Sequence, residues 1–151
     1  MNVADLCSRN VVTIDPLDDI IDAARLMRER HVGYLVVTEP DFTGQTAQVV
    51  GVLTDRDIVV SIVARGANPQ ALKVGDVMTA KPVVVNERDT LEKSVQEMRR
   101  IGVRRIPVVG KLGELKGVLS LDDVLDAIAS ELQNLASAVR HEQRIETALR
   151  P

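Results

Sequence analysis

Two stretches of the chain place a hydroxyl and a carboxylate three residues apart at the end of an apolar run. GVLTDRDIVV (51–60) holds Thr54 and Asp57, and GVLSLDDVLD (117–126) holds Ser120 and Asp123. Two chemistries use that spacing. A helix starting there closes a capping box: the hydroxyl accepts from the third helical amide and the carboxylate reaches back to the cap's own amide. A ribose uses the same pair differently. The carboxylate accepts from both hydroxyls of a cis diol, as an acidic residue does in dinucleotide folds, and the neighbouring hydroxyl both donates and accepts. The free amides and positive dipole end of the helix then favour a phosphate nearby. Spacing alone leaves both readings open.

Cations suited to a phosphate stand elsewhere. GVRRIPVV puts Arg104 and Arg105 at the entrance to a strand, and Arg56 sits between Asp55 and Asp57. A guanidinium binds phosphate oxygens in bidentate fashion. Neighbours on a strand point to opposite faces, so one of the two arginines meets a given ligand. The plainer alternative is a solvated strand end, or an ion pair with a surface carboxylate. Catalysis has less to draw on. His31 falls on the apolar side of a helical pattern, and His141 lies in the charged run RHEQR, with no metal-ligand spacing between them. Cys7 has no base partner visible in the sequence. The carboxylate pairs Asp18–Asp19 and Asp122–Asp123 stand at helix starts, where negative charge is favoured anyway. No glycine-rich phosphate loop is present.

The elements that position these residues come in duplicate. At an offset of 71, Val3, Asp5, Val12, Asp18, Met27, Arg28, Val32 and Val37 fall on Val74, Asp76, Val83, Asp89, Met98, Arg99, Val103 and Val108. Past a hairpin the offset is 66, and Gly51, Val52, Leu53 and Asp57 fall on Gly117, Val118, Leu119 and Asp123. The first copy thus carries five extra residues within EPDFTGQTAQVV, which read as a longer, mobile turn. Each copy reads as a short strand (VVTI, VVVN), a helix, two strands joined by a hairpin, and a second helix from about Asp55 or Leu121. Ile20, Ala24, Met27 and His31 mark the buried face of the first helix; Leu91, Val95 and Met98 mark that of its counterpart, with Asp89 read as the start. The order is β-α-β-β-α twice, joined by RGANPQALK. Neither copy is large enough to bury much core alone, so the two are expected to share one.

Bulk composition narrows the partners. The chain has 151 residues and a net charge of −3, with one Tyr, one Phe and no Trp. That composition lacks both the basic surface and the stacking rings of a nucleic-acid reader. A lone cysteine excludes an intramolecular disulfide and fits a reducing compartment. The longest apolar run, near Ile58 to Ala64, is too short to span a bilayer, and MNVADLCSRN has no signal pattern, so a cytoplasmic location is expected.

The duplicated unit ending in glycine, two apolar residues, Ser or Thr, two variable residues and Asp resembles the CBS domain. Supporting marks are VADLCSRNVVTIDP and VGDVMTAKPVVVNE opening the copies, then HVGYLVV and GVRRIPVV. The resemblance covers residues 3 to about 130. It implies an α/β fold with mixed sheets: repeat 1 at 1–70, repeat 2 at 71–132 and a C-terminal helical extension at 133–151, the repeats packed about a pseudo-twofold as a Bateman module with no catalytic domain attached. It further implies a non-enzymatic regulatory module. Such a module binds an adenosine-containing ligand (AMP, ADP, ATP, or in some cases NAD or S-adenosylmethionine) between the repeats, needs no other cofactor, and forms a homodimer that acts on a regulated protein. Asp57 and Asp123 are then ribose ligands, with Thr54 and Ser120 beside them and Pro107 on the strand that follows the arginines. One complete site is expected from Thr54, Arg56 and Asp57 with Arg105 and Arg104 at the phosphates. A lesser one is expected from Ser120 and Asp123, with Thr13, Ile14, Gly33, Tyr34 and Leu35 on the adenine side and no matching arginine.

The last helix outruns the repeat. Leu125, Ile128, Leu132, Leu135 and Val139 are spaced as in a coiled-coil seam, and Ile145 and Leu149 continue it after a slip. It either packs along its own domain or on a second subunit. The second function class is therefore a ligand-free dimerisation scaffold that uses this helix.

Overall fold

The computed structural model describes residues 1–150. The first repeat runs α1 (Val3–Leu6), β1 (Thr13–Ile14), α2 (Ile20–Arg30), β2 (Tyr34–Pro40), β3 (Ala47–Thr54) and α3 (Asp55–Ile58), the last continued by a π-helical turn, Val59–Val63. After a short 3₁₀ turn at Pro69–Ala71, the second repeat runs α4 (Val74–Val77), β4 (Thr79–Ala80), β5 (Val85–Asn86), α5 (Leu91–Ile101), β6 (Arg105–Val109), β7 (Leu115–Ser120) and α6 (Leu121–Leu149). The strands form two mixed sheets, β1-β2-β3-β4 and β5-β6-β7. In each, the short first strand runs parallel to the second and the hairpin is antiparallel.

The repeats exchange their openings. β4, from the second repeat, pairs with β3 through Val52 and Thr79. The equivalent pairing on the other side is Ser8 with Val118 on β7, and Asn2–Thr90 likewise mirrors Asp19–Lys73. The cores follow suit. Val74 lies in the cluster of Ile20, Leu35, Val37 and Leu53, while Val3 and Cys7 lie in that of Met98, Ile106, Val108 and Leu119. Each core is thus completed by a helical turn from the other half. The motif glycines permit the exchange. A Cβ on Gly117 would stand 2.6 Å from the carbonyl oxygen of Ser8, and one on Gly51 would meet the Met78 sulfur.

Local details differ from the sequence pattern. Ala23, not Ala24, joins Ile20 and Met27 on the buried face of α2. His31 is not on that face. It is the exposed left-handed cap (φ 55°), its amide donating to the Met27 carbonyl. Gly102 holds the equivalent place with φ 72°. Thr90, not Asp89, caps α5: its hydroxyl accepts from the Lys93 amide, while the Asp89 carboxylate accepts from the Asn86 amide and the Lys93 ammonium. The longer hairpin loop, expected to be mobile, is laced to the Asp41 carboxylate. That group accepts from the hydroxyls of Thr43 (2.6 Å) and Thr46 (2.8 Å) and from the amides of Thr43 and Gln45. The α6 helix packs on its own domain only at its start, where Val124 is buried; from Ile128 onward every described residue is exposed. Among the described residues, no helix is long and apolar enough to cross a membrane.

Candidate functional site

At the first motif the cap is fully formed. The Thr54 hydroxyl accepts from the Asp57 amide at 3.1 Å and the Asp57 carboxylate accepts from the Thr54 amide at 2.9 Å. At the second motif it is half formed. The Ser120 hydroxyl accepts from the Asp123 amide at 3.1 Å but donates to the Asp123 carboxylate at 2.6 Å. The strand hairpins set these motifs in register with the arginine segment and its counterpart. Tyr34 pairs with Thr54, and Arg105 pairs with Ser120. The Asp55 amide donates to the Gly33 carbonyl, and the Leu121 amide to the Arg104 carbonyl.

Between the halves lies a cleft of about 400 Å³, within the size range of small-ligand sites. One wall is the opening segment of the first repeat, Ser8 and Asn10 to Val12; a second is the α2–β2 corner, His31 to Tyr34. The third comes from the second repeat: Arg105, Val118, Ser120, Asp122 and Asp123. An added Cβ on Gly33 would fall 2.9 Å from the Asp55 carboxyl carbon, so the exposed Asp55 side chain would have to turn aside.

The charges in the cleft are sorted by pairing. Arg104 donates to Asp122 at 2.7 Å, an exposed ion pair worth little stability. It is therefore engaged as a surface pair. Arg105 makes no ion pair among the described residues. Its guanidinium instead lies over the Tyr34 ring, 6.0 Å from the centroid, the outer limit of a cation–π contact. Burial pushes the Tyr34 hydroxyl up, against a smaller opposing pull from Arg105, so it stays protonated and able to donate.

The residues expected to form sites divide accordingly. Gly33, Tyr34, Arg105, Ser120 and Asp123 converge on the cleft. Thr13 and Ile14 do not line it; they border a separate depression against the longer hairpin. Leu35 is fully buried in the first core. Pairing of Thr13 with Val36 carries β1 past the cleft, so Asn10, Val11 and Val12 stand where Thr13 and Ile14 were expected. Thr54, Arg56 and Asp57 lie outside the cleft lining, and Arg105 faces Asp123's side of the junction. Pro107 is buried in β6 opposite Val118. It stands where Val36 does in the first repeat, and lacks the N–H with which Val36 donates to Val12. Sequence reasoning missed Ser8, Asn10 and His31 as cleft residues. His31 was findable, since it occupies the place of Gly102, and a histidine in a position built for positive φ is held there by the fold.

Fold and cleft together define a pair of intertwined β-α-β-β-α repeats with a ligand-sized cleft at their junction. The chain belongs to the CBS domain family, whose pattern matches residues 3–64 and 74–130. Among curated relatives, YhcV of Bacillus subtilis, a CBS domain-containing protein, is 33% identical over 82% of this chain and 82% of its own length. YlbB of the same organism is 34% identical over 81% and 78%. MK0525 of Methanopyrus kandleri is 29% identical over 83% of this chain, which spans 61% of that protein's length; the corresponding share of the Arabidopsis thaliana protein CBSX3 is 54%. Among solved structures, CBSX2 in complex with AMP superposes with a TM-score of 0.70 at 28% identity, covering 85% of this chain and 96% of that one. A hexameric CBS-CP12 protein from bloom-forming cyanobacteria gives 0.71 at 28% identity, covering 99% and 87%.

Proposed function

We propose that this chain is a regulatory, non-catalytic module that binds an adenine nucleotide in the cleft and works as a homodimer on a protein it regulates. One observation carries the reading: a free guanidinium and a carboxylate beside a helix start, Arg105 and Asp123, face a cleft closed by the other repeat. Asp123 clamps the ribose diol, with the Ser120 hydroxyl fixing its orientation. The nucleobase lies along Asn10, Val11 and Val12. Arg105 and His31 take the phosphate. The AMP complex of CBSX2 supports this choice of ligand. The geometry favours Asp123 over Asp57 as the ribose ligand, because Asp123 lines the cleft and Asp57 lies off it.

Because both repeats wall the cleft, a ligand there changes the angle between them. It does so by its differential affinity for the two arrangements, with couplings typically of about 1–3 kcal/mol. ADP, ATP, NAD and S-adenosylmethionine share the ribose and base and enter the same test. The test is calorimetric titration of the native chain with each of these, with AMP and with adenosine. Binding of AMP more tightly than adenosine is expected. No heat with any of them at millimolar ligand sinks the proposal.

The exposed apolar seam of α6 favours a second reading, an interaction scaffold that needs no ligand. A chain ending at Leu132 separates the two. A sensor keeps its nucleotide binding, whereas a scaffold loses its assembly and has no binding to keep.

A further inference from the structure

The α6 helix leaves the globular body at about Ile128 and continues for about 33 Å at 1.5 Å per residue, every described residue of it exposed. Helices in proteins owe most of their stability to packing of an apolar face, which this segment does not find on its own body. Its apolar face is long and regular: Leu132 and Leu135, at the middle of the seam, are 61% and 63% exposed. Such a face calls for a partner, and the charges along the helix indicate which one. Residues 121 to 135 carry Asp122, Asp123, Asp126 and Glu131 and no base. Residues 136 to 150 carry Arg140, Arg144 and Arg150 against Glu142 and Glu146.

From this asymmetry we infer that α6 pairs antiparallel with α6 of a second copy, about a twofold axis near Ser137. The inference rests on the homodimer reading and gives it an orientation. Asp122 is paired with Arg104 and Asp123 faces the cleft, so a parallel pair would set Asp126 and Glu131 beside their own counterparts, well inside a Debye length. An antiparallel pair sets each acidic half against the partner's net basic half. The same register closes the two ends and the middle of the seam. Leu125 meets Leu149 of the partner subunit and Leu135 meets the partner's Val139, the isologous pattern of a twofold contact, while Ile128 and Leu132 fall opposite the partner's Glu146 and the partner's Glu142. The axis passes at the level of Ser137, where Ala136 flanks the seam and is small enough to let the backbones approach. Glu142 and Glu146 are the charged interruptions, at the slip in the seam, and their long side chains can leave at the edge. The two globular bodies then lie at opposite ends of the paired helices.

The experiment uses the full chain. Sedimentation at tens of micromolar is expected to give twice the 16.5 kDa chain mass. Leu132→Asp with Leu135→Asp, both at exposed positions, is expected to weaken the dimer at least about a hundredfold while helicity and nucleotide binding are retained. Orientation is read by disulfide trapping, which needs Cα atoms within about 7 Å. Leu125→Cys with Leu149→Cys in one chain is expected to give covalent dimers mapped to a 125–149 link, and neither single variant is expected to cross-link. Cys7 is buried and its thiol pushed up by that burial, so it stays out of the exchange. Cross-linking of the single variants, or a dimeric double variant that never links, overturns the antiparallel pairing and leaves the homodimer standing. A monomeric native chain overturns both.

Discussion

Arg105 lies over the ring of Tyr34, and the two residues occupy the same position in the two repeats. Each opens the second strand of its copy and sits opposite the motif hydroxyl, Ser120 for Arg105 and Thr54 for Tyr34. The pseudo-twofold therefore runs between a cation and an aromatic ring, and the two ends of the junction differ because of it. The Arg105 side chain is braced against the ring and enters a cleft whose carboxylate comes from its own repeat. This contact predicts a division of labour between charge and base. Arg105→Gln removes the phosphate cation and leaves the diol clamp. AMP affinity should fall roughly ten- to a hundredfold, in keeping with charge-assisted bonds of about 1.5–3 kcal/mol, while adenosine affinity stays within about threefold. Parallel titrations of the two ligands read this. An equal loss for both would remove Arg105 from the phosphate.

The two motif aspartates should separate cleanly. Asp123→Asn should weaken AMP and adenosine alike by at least about tenfold, since both ligands carry the diol. Asp57→Asn should leave both affinities near native and lower the unfolding free energy by about 1 kcal/mol, the usual cost of a damaged cap. Titration and urea unfolding of both variants decide the matter. Tight binding by Asp123→Asn with lost binding by Asp57→Asn would move the site to the other motif.

Much of this architecture was legible in the sequence. The 71-residue offset aligned His31 with Gly102, Gly33 with Arg104 and Tyr34 with Arg105, and the motif serine and threonine marked both helix starts. What the offset could not show was the exchange of the openings. Ser8 reaches Val118 through backbone pairing, which leaves no trace in side-chain type, so Asn10 to Val12 became a cleft wall unannounced. The side of the junction taken by Arg105 was equally hidden, since alternation on a strand says that one arginine of a pair turns inward but not which carboxylate it meets. Arg104 was settled by an ion pair with Asp122, eighteen residues away, a distance at which sequence patterns carry no pairing signal.

The exchange makes the motif glycines unequal. At Gly51 an added methyl meets the Met78 side chain, which can turn aside, and stands 3.2 Å from the Thr79 carbonyl oxygen, whereas at Gly117 it stands only 2.6 Å from the equivalent Ser8 carbonyl oxygen. Gly117→Ala should cost about 1–3 kcal/mol as overpacking against a fixed group, and Gly51→Ala clearly less. Because Ser8 also walls the cleft, Gly117→Ala should weaken AMP binding as well. Urea unfolding and titration of the two variants check the order, and equal costs would mean that the opening segment yields.

The longer hairpin should respond to acid. Hydroxyls of Thr43 and then Thr46 hold the Asp41 carboxyl well below the ordinary carboxylate range, with backbone amides adding to them. A folded value below the unfolded one, near 4, means that the lacing contributes fully above the unfolded value. The contribution is lost as pH falls toward the folded value. Amide exchange at Thr43, Gln45 and Thr46 should therefore be slow at neutral pH and speed up, relative to the rest of β2 and β3, once the pH drops below about 4. Asp41→Asn keeps the size but lacks the charge, and should show the faster exchange already at pH 7 with little pH dependence of its own. Exchange rates measured by NMR on both chains across that range test it. Unchanged protection in the variant at neutral pH would show that the loop is held by its strands and not by the carboxylate.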